Sequence, residues 1–285
     1  MRYYLSLIIG ILFWSSSFIA SKIAYTSFSP LVVCMFRFVL SSVLMSIIGI
    51  AAKKERPSNH DLIYIILSAI AGITFYFAIE NIGLSLTTAS NASLIGAAYP
   101  VMTILVGICV YRMRISGRTL AGIVVAIIGV YILTAKSTET IEGTWRGDVL
   151  LILDGFLWGF YNFLTQSISK ECDTYTISWY QMVAGCICFI PLLFLQKPVI
   201  QNVTFSSIAA ILYLSAACTI AASFLYNYGL RGVSAKTAVS LMNLMPVFGL
   251  FFSATILHET IAWKQILGGL IVLFGVFLSG GSGEV

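Results

Sequence analysis

The feature that most constrains this chain is a series of ten apolar stretches, each long enough to cross a bilayer as a helix. A helix needs about 20 predominantly apolar residues to span a hydrocarbon core of roughly 30 Å. The stretches cover about 3–24, 30–52, 62–82, 86–111, 118–135, 147–168, 174–196, 205–228, 234–257 and 263–280. Short polar turns separate them, among them Lys53-Lys54-Glu55-Arg56-Pro57, Arg112 to Gly117, Lys136 to Gly147 and Gln196-Lys197-Pro198. Only 9 % of residues are charged and mean hydropathy is +0.97, whereas soluble domains carry about 25 % charge. That excludes a soluble single-domain enzyme and a disordered chain. The apolar runs are continuous rather than alternating, which excludes a transmembrane barrel. Most of the six cysteines lie inside apolar runs, so a disulfide scaffold is excluded too. The expected fold class is an all-α membrane protein with ten transmembrane helices. The first run starts with Arg2 but is too long for a signal peptide, and is read as a retained span.

Lys and Arg in short loops set the orientation. With the N-terminus inside, ten of the sixteen lie on the inner side, five on the outer side, and Arg37 falls within the second span. Both termini are therefore predicted cytoplasmic, in a multi-pass protein of the inner (cytoplasmic) membrane. The net charge of +5 is spread over many loops and forms no patch, which argues against nucleic acid as a partner.

The two halves resemble each other. A shift of 146 residues aligns Asn81-x-Gly83-Leu84 with Asn227-x-Gly229-Leu230, Pro100-Val101 with Pro246-Val247, Gly122 with Gly268 and Gly129-Val130 with Gly275-Val276. A shift of 144 aligns Trp14 with Trp158. The expected organisation is a first repeat over 1–136, a second over 146–281 and a short tail at 282–285. Each repeat has five spans, an odd number, so the second copy enters the membrane in the opposite sense, as in many transporters.

Phe13-Trp14-Ser15-Ser16-Ser17-Phe18 in the first span, Arg37-Phe38 in the second and the repeated Asn-x-Gly-Leu followed by a mid-span Pro resemble the EamA branch of the drug/metabolite transporter superfamily. The resemblance implies ten helices in a five-plus-five inverted repeat and export of small metabolites, often amino acids. It also implies a central cavity lined mainly by spans 1, 3, 4, 6, 8 and 9, with 5 and 10 peripheral.

Charges inside spans are costly and usually face a partner or a cavity. Lys22, Arg37, Glu80 and Asp154 all fall in the predicted outer half, Arg37 and Asp154 about 10 Å from the outer ends at 1.5 Å per residue. They read either as an outer gate with an ionisable carboxylate or as a static ion-pair lock. Asp154, Trp158, Tyr161 and Thr165 recur on one face of span 6, with Asn162 beside it; Trp14, Ser17 and Ser21 do the same in span 1. These faces read as cavity walls, the alternative being helix–helix packing. Tyr76 and Glu80 in span 3, Asn91 and Tyr99 in span 4, Ser223, Tyr226 and Asn227 in span 8, and Thr237, Ser240 and Asn243 in span 9 are further candidates. Asn81 and Asn227 equally suit capping of the turns that follow. Pro100 and Pro246 are expected to kink their helices mid-span, as hinges or as fixed bends. Gly122, Gly129, Gly268, Gly269 and Gly275 are expected to pack spans 5 and 10 closely, with a homodimer as a further reading.

No phosphate-binding loop is present, His258-Glu259-Thr260 lacks the second His of a zinc-protease helix, and neither histidine lies at membrane depth. No cofactor or metal is expected. The function that follows is a secondary transporter that moves a small amphipathic metabolite, such as an amino acid, by alternating access. Arg37 or Lys22 would meet the solute's carboxylate, Glu80 or Asp154 its amine, and Trp14, Trp158 and Tyr99 its side chain. The alternatives are a passive channel or facilitator and a membrane enzyme acting on a lipid-linked substrate.

Overall fold

The computed structural model describes residues 1–48, 56–135, 144–169, 172–194, 198–230, 232 and 241–280. Within the described residues, each apolar run contains helix. α1 is Arg2–Ala24, α2 Pro30–Ile48, α3 Asn59–Leu86, α4 the pair Ala89–Gly96 and Tyr99–Cys109, and α5 Gly117–Thr134. α6 is Thr144–Gln166, α7 Thr174–Phe194, α8 Phe205–Leu230, α9 Met245–Ile256 and α10 Trp263–Gly280. Seven of these are long and apolar enough to cross a membrane alone, the bent pair of α4 makes an eighth, and α9 and α10 are shorter apolar helices. Among the described residues the only extended pairing is an isolated antiparallel bridge between Phe28 and Ile200. It ties the α1–α2 turn to the α7–α8 connection through Ser29 N–H to the Val199 carbonyl, 2.9 Å, and Gln201 N–H to the Ser27 carbonyl, 3.0 Å.

Backbone irregularities recur in the two halves. α3 contains a π-helical stretch at Ile70–Phe75 and α8 one at Leu214–Ala221. The wide turn of a π-helix displaces side chains from the regular 3.6-residue stripe, and such turns concentrate at functional sites. α4 breaks with a bend of 47° between its two segments. Pro100 sits in the first turn of the second segment, behind an Ala98 cap, and Pro246 sits in the first turn of α9, behind Leu244. The expected mid-helix kinks are thus corrected. Each proline opens a new helical segment, where a missing N–H is already unpaired and costs little.

Close backbone approaches fix the packing. The Asn-x-Gly-Leu glycines mark two crossings: a Cβ on Gly83 would lie 3.1 Å from the Gly147 carbonyl on α6, and one on Gly229 2.4 Å from Leu7 of α1. Helices 1 and 6 therefore each lie against a helix of the opposite half, α1 on α8 and α6 on α3. α5 and α10 form a separate seam. A Cβ on Gly122 would lie 2.4 Å from the Ser279 nitrogen, on Gly129 2.6 Å from the Val272 nitrogen, and on Gly275 2.4 Å from the Ala126 nitrogen. These glycines face one another within the chain, so a homodimer would need another surface.

The seam generates a prediction. Gly275→Val should cost about 1–3 kcal/mol, because the new side chain meets backbone rather than a movable side chain. Thermal unfolding in detergent should show a clearly lowered Tm. Gly117→Ala, where nothing lies within 4 Å, should leave it unchanged.

Candidate functional site

Among the described residues two clusters of buried polar groups stand out. The first lies deep in the bundle, where α3, α4 and α6 meet. Tyr76 follows directly on the π-helical stretch of α3, and one turn later comes Glu80, only 7 % exposed. The Tyr76 hydroxyl donates to Glu80 Oε1 at 3.1 Å. Tyr99 opens the second segment of α4, and its hydroxyl donates to Asp154 Oδ2 at 2.9 Å. Asp154 is fully buried, and its Oδ1 has no hydrogen-bond partner among the described residues. Trp158, one turn beyond Asp154, packs against Tyr76 at 5.4 Å and Tyr161 at 5.2 Å between ring centroids, with Tyr76 and Tyr99 edge-on at 6.3 Å. Two glycines make this wall: a Cβ on Gly72 would lie 2.1 Å from the Tyr161 ring, and one on Gly155 2.0 Å from Met102 and 2.9 Å from Tyr99.

Arg37 is the cation nearest this wall. Its Nε donates to the Thr219 hydroxyl oxygen at 2.8 Å, and its guanidinium lies 4.7 Å from the Phe77 ring centroid. Thr219 belongs to the π-helical stretch of α8 and donates to the Leu214 carbonyl five residues back, at 2.8 Å. The four intramembrane charges do not pair with one another. Among the described residues no carboxylate lies within 4 Å of Arg37 or Lys22. The expected ion-pair lock is therefore absent from this conformation, and each charge is held by neutral groups instead. The position equivalent to Arg37, Gln181, donates to the Ser68 hydroxyl of α3 at 2.8 Å.

The second place is the end of the bundle remote from Met1. Asp148, 3 % exposed, accepts from the Thr87 hydroxyl at 2.5 Å and from Asn91 Nδ2 at 3.1 Å. Asn91 Oδ1 in turn accepts from Gln265 Nε2 at 2.6 Å. Glu259, in the α9–α10 turn, accepts from the backbone N–H of Ala89 at 2.9 Å, from that of Ser90 at 3.0 Å, and from the hydroxyls of Ser90 and Ser253. It thereby occupies the N-terminus of α4, where unpaired amides and the helix dipole favour an anion. Lys22 donates to the Thr87 carbonyl. Beside it a cavity of about 410 Å³ is lined by Tyr25, Ser27, Ser85 and Gln201 among others. The Tyr25 hydroxyl donates to Asn81 Oδ1 at 2.6 Å, and Asn81 Nδ2 donates to the Phe77 carbonyl at 2.8 Å, next in the chain to Glu80.

Several expected positions fall elsewhere. Asn91 belongs to the far-end cluster rather than to the wall around Tyr99, because Asp148 and Gln265 claim its amide. Asn162 Nδ2 donates to the Trp158 carbonyl of its own helix at 2.7 Å. Ser17 likewise donates to the Trp14 carbonyl at 2.7 Å, while Trp14, half-buried, packs against Tyr226 of α8 at 5.1 Å. Asn243 is half-buried in the turn before Pro246. Thr237, Ser240 and the Asn227 side chain lie outside the described residues. Asp148, Glu259 and Thr219 are not among the site residues expected from the sequence. Asp148 stands at the start of an apolar run and Glu259 between two runs, where a charge looks like an ordinary loop residue.

Comparison with known proteins gives the same architecture a family. The profile described as the EamA-like transporter family matches residues 1–135 and 145–281. An uncharacterised transporter of Archaeoglobus fulgidus is 31 % identical over 97 % of this chain and 96 % of its own length. A probable amino-acid metabolite efflux pump of Escherichia coli is 25 % identical over 93 % of this chain and 90 % of its own. A solved crystal structure, 16 % identical, superposes with a TM-score of 0.65 over 97 % of this chain and 96 % of the other, a likeness of fold.

The far-end cluster has a pH signature. Burial pushes the Glu259 carboxyl up, but the hydroxyls of Ser253 and Ser90 and two backbone amides outweigh it and hold the group below its ordinary value of 4.5. A carboxyl lowered on folding stabilises the fold above its unfolded value, and that stabilisation is lost as pH falls through the folded value. Glu259→Gln should therefore lower Tm at neutral pH, by the loss of a helix cap worth ~1 kcal/mol. The Tm difference between the two proteins should shrink once pH drops below about 4.5.

Proposed function

The chain belongs to the EamA-like transporter family, and on that footing we propose that it is a secondary carrier exporting a small amphipathic metabolite, an amino acid or a close relative. Its place would be the cytoplasmic membrane, with both termini inside. The observation that supports this reading most is the wall formed by Tyr76, Tyr99, Trp158, Glu80 and Asp154, with Arg37 on the adjoining helix. Aromatic area beside a few fixed polar groups is what a small-solute site requires, and in hydrocarbon such groups are retained where they meet a ligand or each other. The amine of a zwitterion would lie against Asp154 or Glu80, its carboxylate toward Arg37, and its side chain on Trp158 and Tyr99. Lys22 and the far-end cavity would serve as an approach to this wall.

Residues 1–136 and 146–281 would act as two oppositely inserted repeats that expose the wall to each side in turn. The broken α4 and the matching break before α9 are the natural places for the backbone to flex. The far-end contacts made by Asp148, Asn91, Gln265 and Glu259 would then be made and released with each cycle. The E. coli relative's name, with its amino-acid metabolites, points to the same class of solute.

Flux of radiolabelled amino acids in proteoliposomes tests this. Solute on the opposite side should accelerate flux, which a passive channel would not show. Trp158→Ala and Arg37→Ala should each lower kcat/KM at least about tenfold, or ~1.4 kcal/mol of transition-state stabilisation. Unchanged transport in both variants would remove these residues from the site.

A further inference from the structure

The far-end cavity holds a cation without a counter-ion. Lys22, half-buried near the end of α1, is the only charged side chain among the described residues that line its volume of about 410 Å³. It donates to the Thr87 carbonyl. An ammonium can donate more than once, yet among the described residues its other N–H groups have no acceptor and no carboxylate lies within 4 Å. Glu259 is the carboxylate whose field reaches Lys22, but its oxygens are already taken by two backbone amides and two hydroxyls. The rest of the lining is complementary to Lys22. The hydroxyls of Thr26, Ser27 and Ser85 donate to the carbonyls of Ile23, Asn202 and Ile82, at 2.8, 3.0 and 2.7 Å. With their protons spent, these oxygens have only lone pairs to offer. One cation and several acceptors in one cavity suit a zwitterion, whose carboxylate and ammonium both form charge-assisted hydrogen bonds. The volume lies in the range of small-molecule pockets, and the Phe28–Ile200 bridge pins the lining in place.

We infer that this cavity is a second solute site, in which Lys22 takes the carboxylate of an amino acid and the hydroxyl oxygens of Thr26, Ser27 and Ser85 take its ammonium. It is distinct from the aromatic wall and lies next to it. Tyr25 lines the cavity, its hydroxyl donates to Asn81 Oδ1 at 2.6 Å, and Asn81 Nδ2 makes a long contact of 3.5 Å to Glu80 Oε2. The Tyr25–Asn81 pair is thus the partition between the two sites. A solute leaving the wall crosses it and is held at Lys22 before release, so a free carboxylate is selected at Arg37 and again at Lys22. This rests on the carrier reading above.

The test uses the full chain in lipid nanodiscs and in proteoliposomes. The initial rate at which a small anhydride acetylates each lysine, read by mass spectrometry, reports access to the Lys22 ammonium. At least one of the common amino acids should slow acetylation of Lys22 at saturation and leave Lys264 unaffected. Its carboxamide, which lacks the anion, should need a concentration about tenfold higher for the same protection, since a hydrogen bond to a charged group is lost. Protection should persist in Trp158→Ala, which alters the wall and leaves the cavity lining intact. In flux, Lys22→Gln should raise the KM for solute on the far-end side about tenfold with kcat unchanged, and Lys22→Arg should restore it. Equal protection by an amino acid and its carboxamide overturns the proposal. So does protection that is lost in Trp158→Ala, or that comes from inorganic phosphate or a short-chain phosphatidylglycerol and from no amino acid. No protection, together with flux that Lys22→Gln leaves unchanged, overturns the second site and leaves the carrier reading standing. Carboxylate-dependent protection without flux of any amino acid supports the site and counts against the carrier reading.

Discussion

In hydrocarbon, a polar group has only the protein to bond to, and this constraint shapes every irregular feature of the molecule. Asp154 and Glu80 each need a donor at membrane depth, and each receives a tyrosine hydroxyl. Those tyrosines need particular backbone positions. Tyr76 is delivered by the end of a π-helical stretch, and Tyr99 by the start of a new helical segment after a break. Regular helices would have carried both rings to other faces. Gly72 and Gly155 then vacate the space into which Tyr161, Met102 and Tyr99 press. The polar wall is thus specified less by the polar residues than by the departures from ideal helix geometry that aim them.

The same constraint accounts for the way positive charge is handled. Arg37 does not neutralise a carboxylate directly. It is anchored to Thr219, whose own proton goes to the Leu214 carbonyl at the start of the π-helical stretch of α8, and its guanidinium lies over Phe77. A bond to a neutral hydroxyl and a cation–π contact keep the guanidinium fixed while leaving its charge to act at longer range. At the far end the logic is reversed. Glu259 is saturated by amides and hydroxyls at a helix N-terminus, an arrangement that favours a permanently ionised group. One carboxylate is thus held charged at the edge of the bundle, and two are kept short of partners in its middle.

The fold was legible because its signals are long and redundant: ten apolar runs, a paired Asn-x-Gly-Leu and a paired proline survive any single misreading. The glycine seam between α5 and α10 was legible for the same reason, since four glycines recur at one offset. The candidate site was legible in part. Tyr76, Glu80, Tyr99, Asp154 and Trp158 stand out as polar or aromatic residues in oily helices, and the fold does bring them together. Asn91 lies apart from Tyr99 because span 4 does not continue straight past Gly96: the 47° break separates the two. Asp148 and Glu259 were missed because span ends resemble loops in any reading by hydropathy. The ion pairs failed for a different reason. Similar depth along the membrane normal says nothing about position around the bundle axis.

The α5–α10 seam carries a mechanical corollary. Two helices whose main chains approach this closely at Gly122, Gly129, Gly268 and Gly275 behave as one stiff strut. That strut takes one member from each half of the chain. The bundle is stapled along this edge, so any rearrangement would be smallest here and largest in the helices on the opposite flank. The chain is built like a book, with its spine in the two seam helices and its pages in the remaining eight.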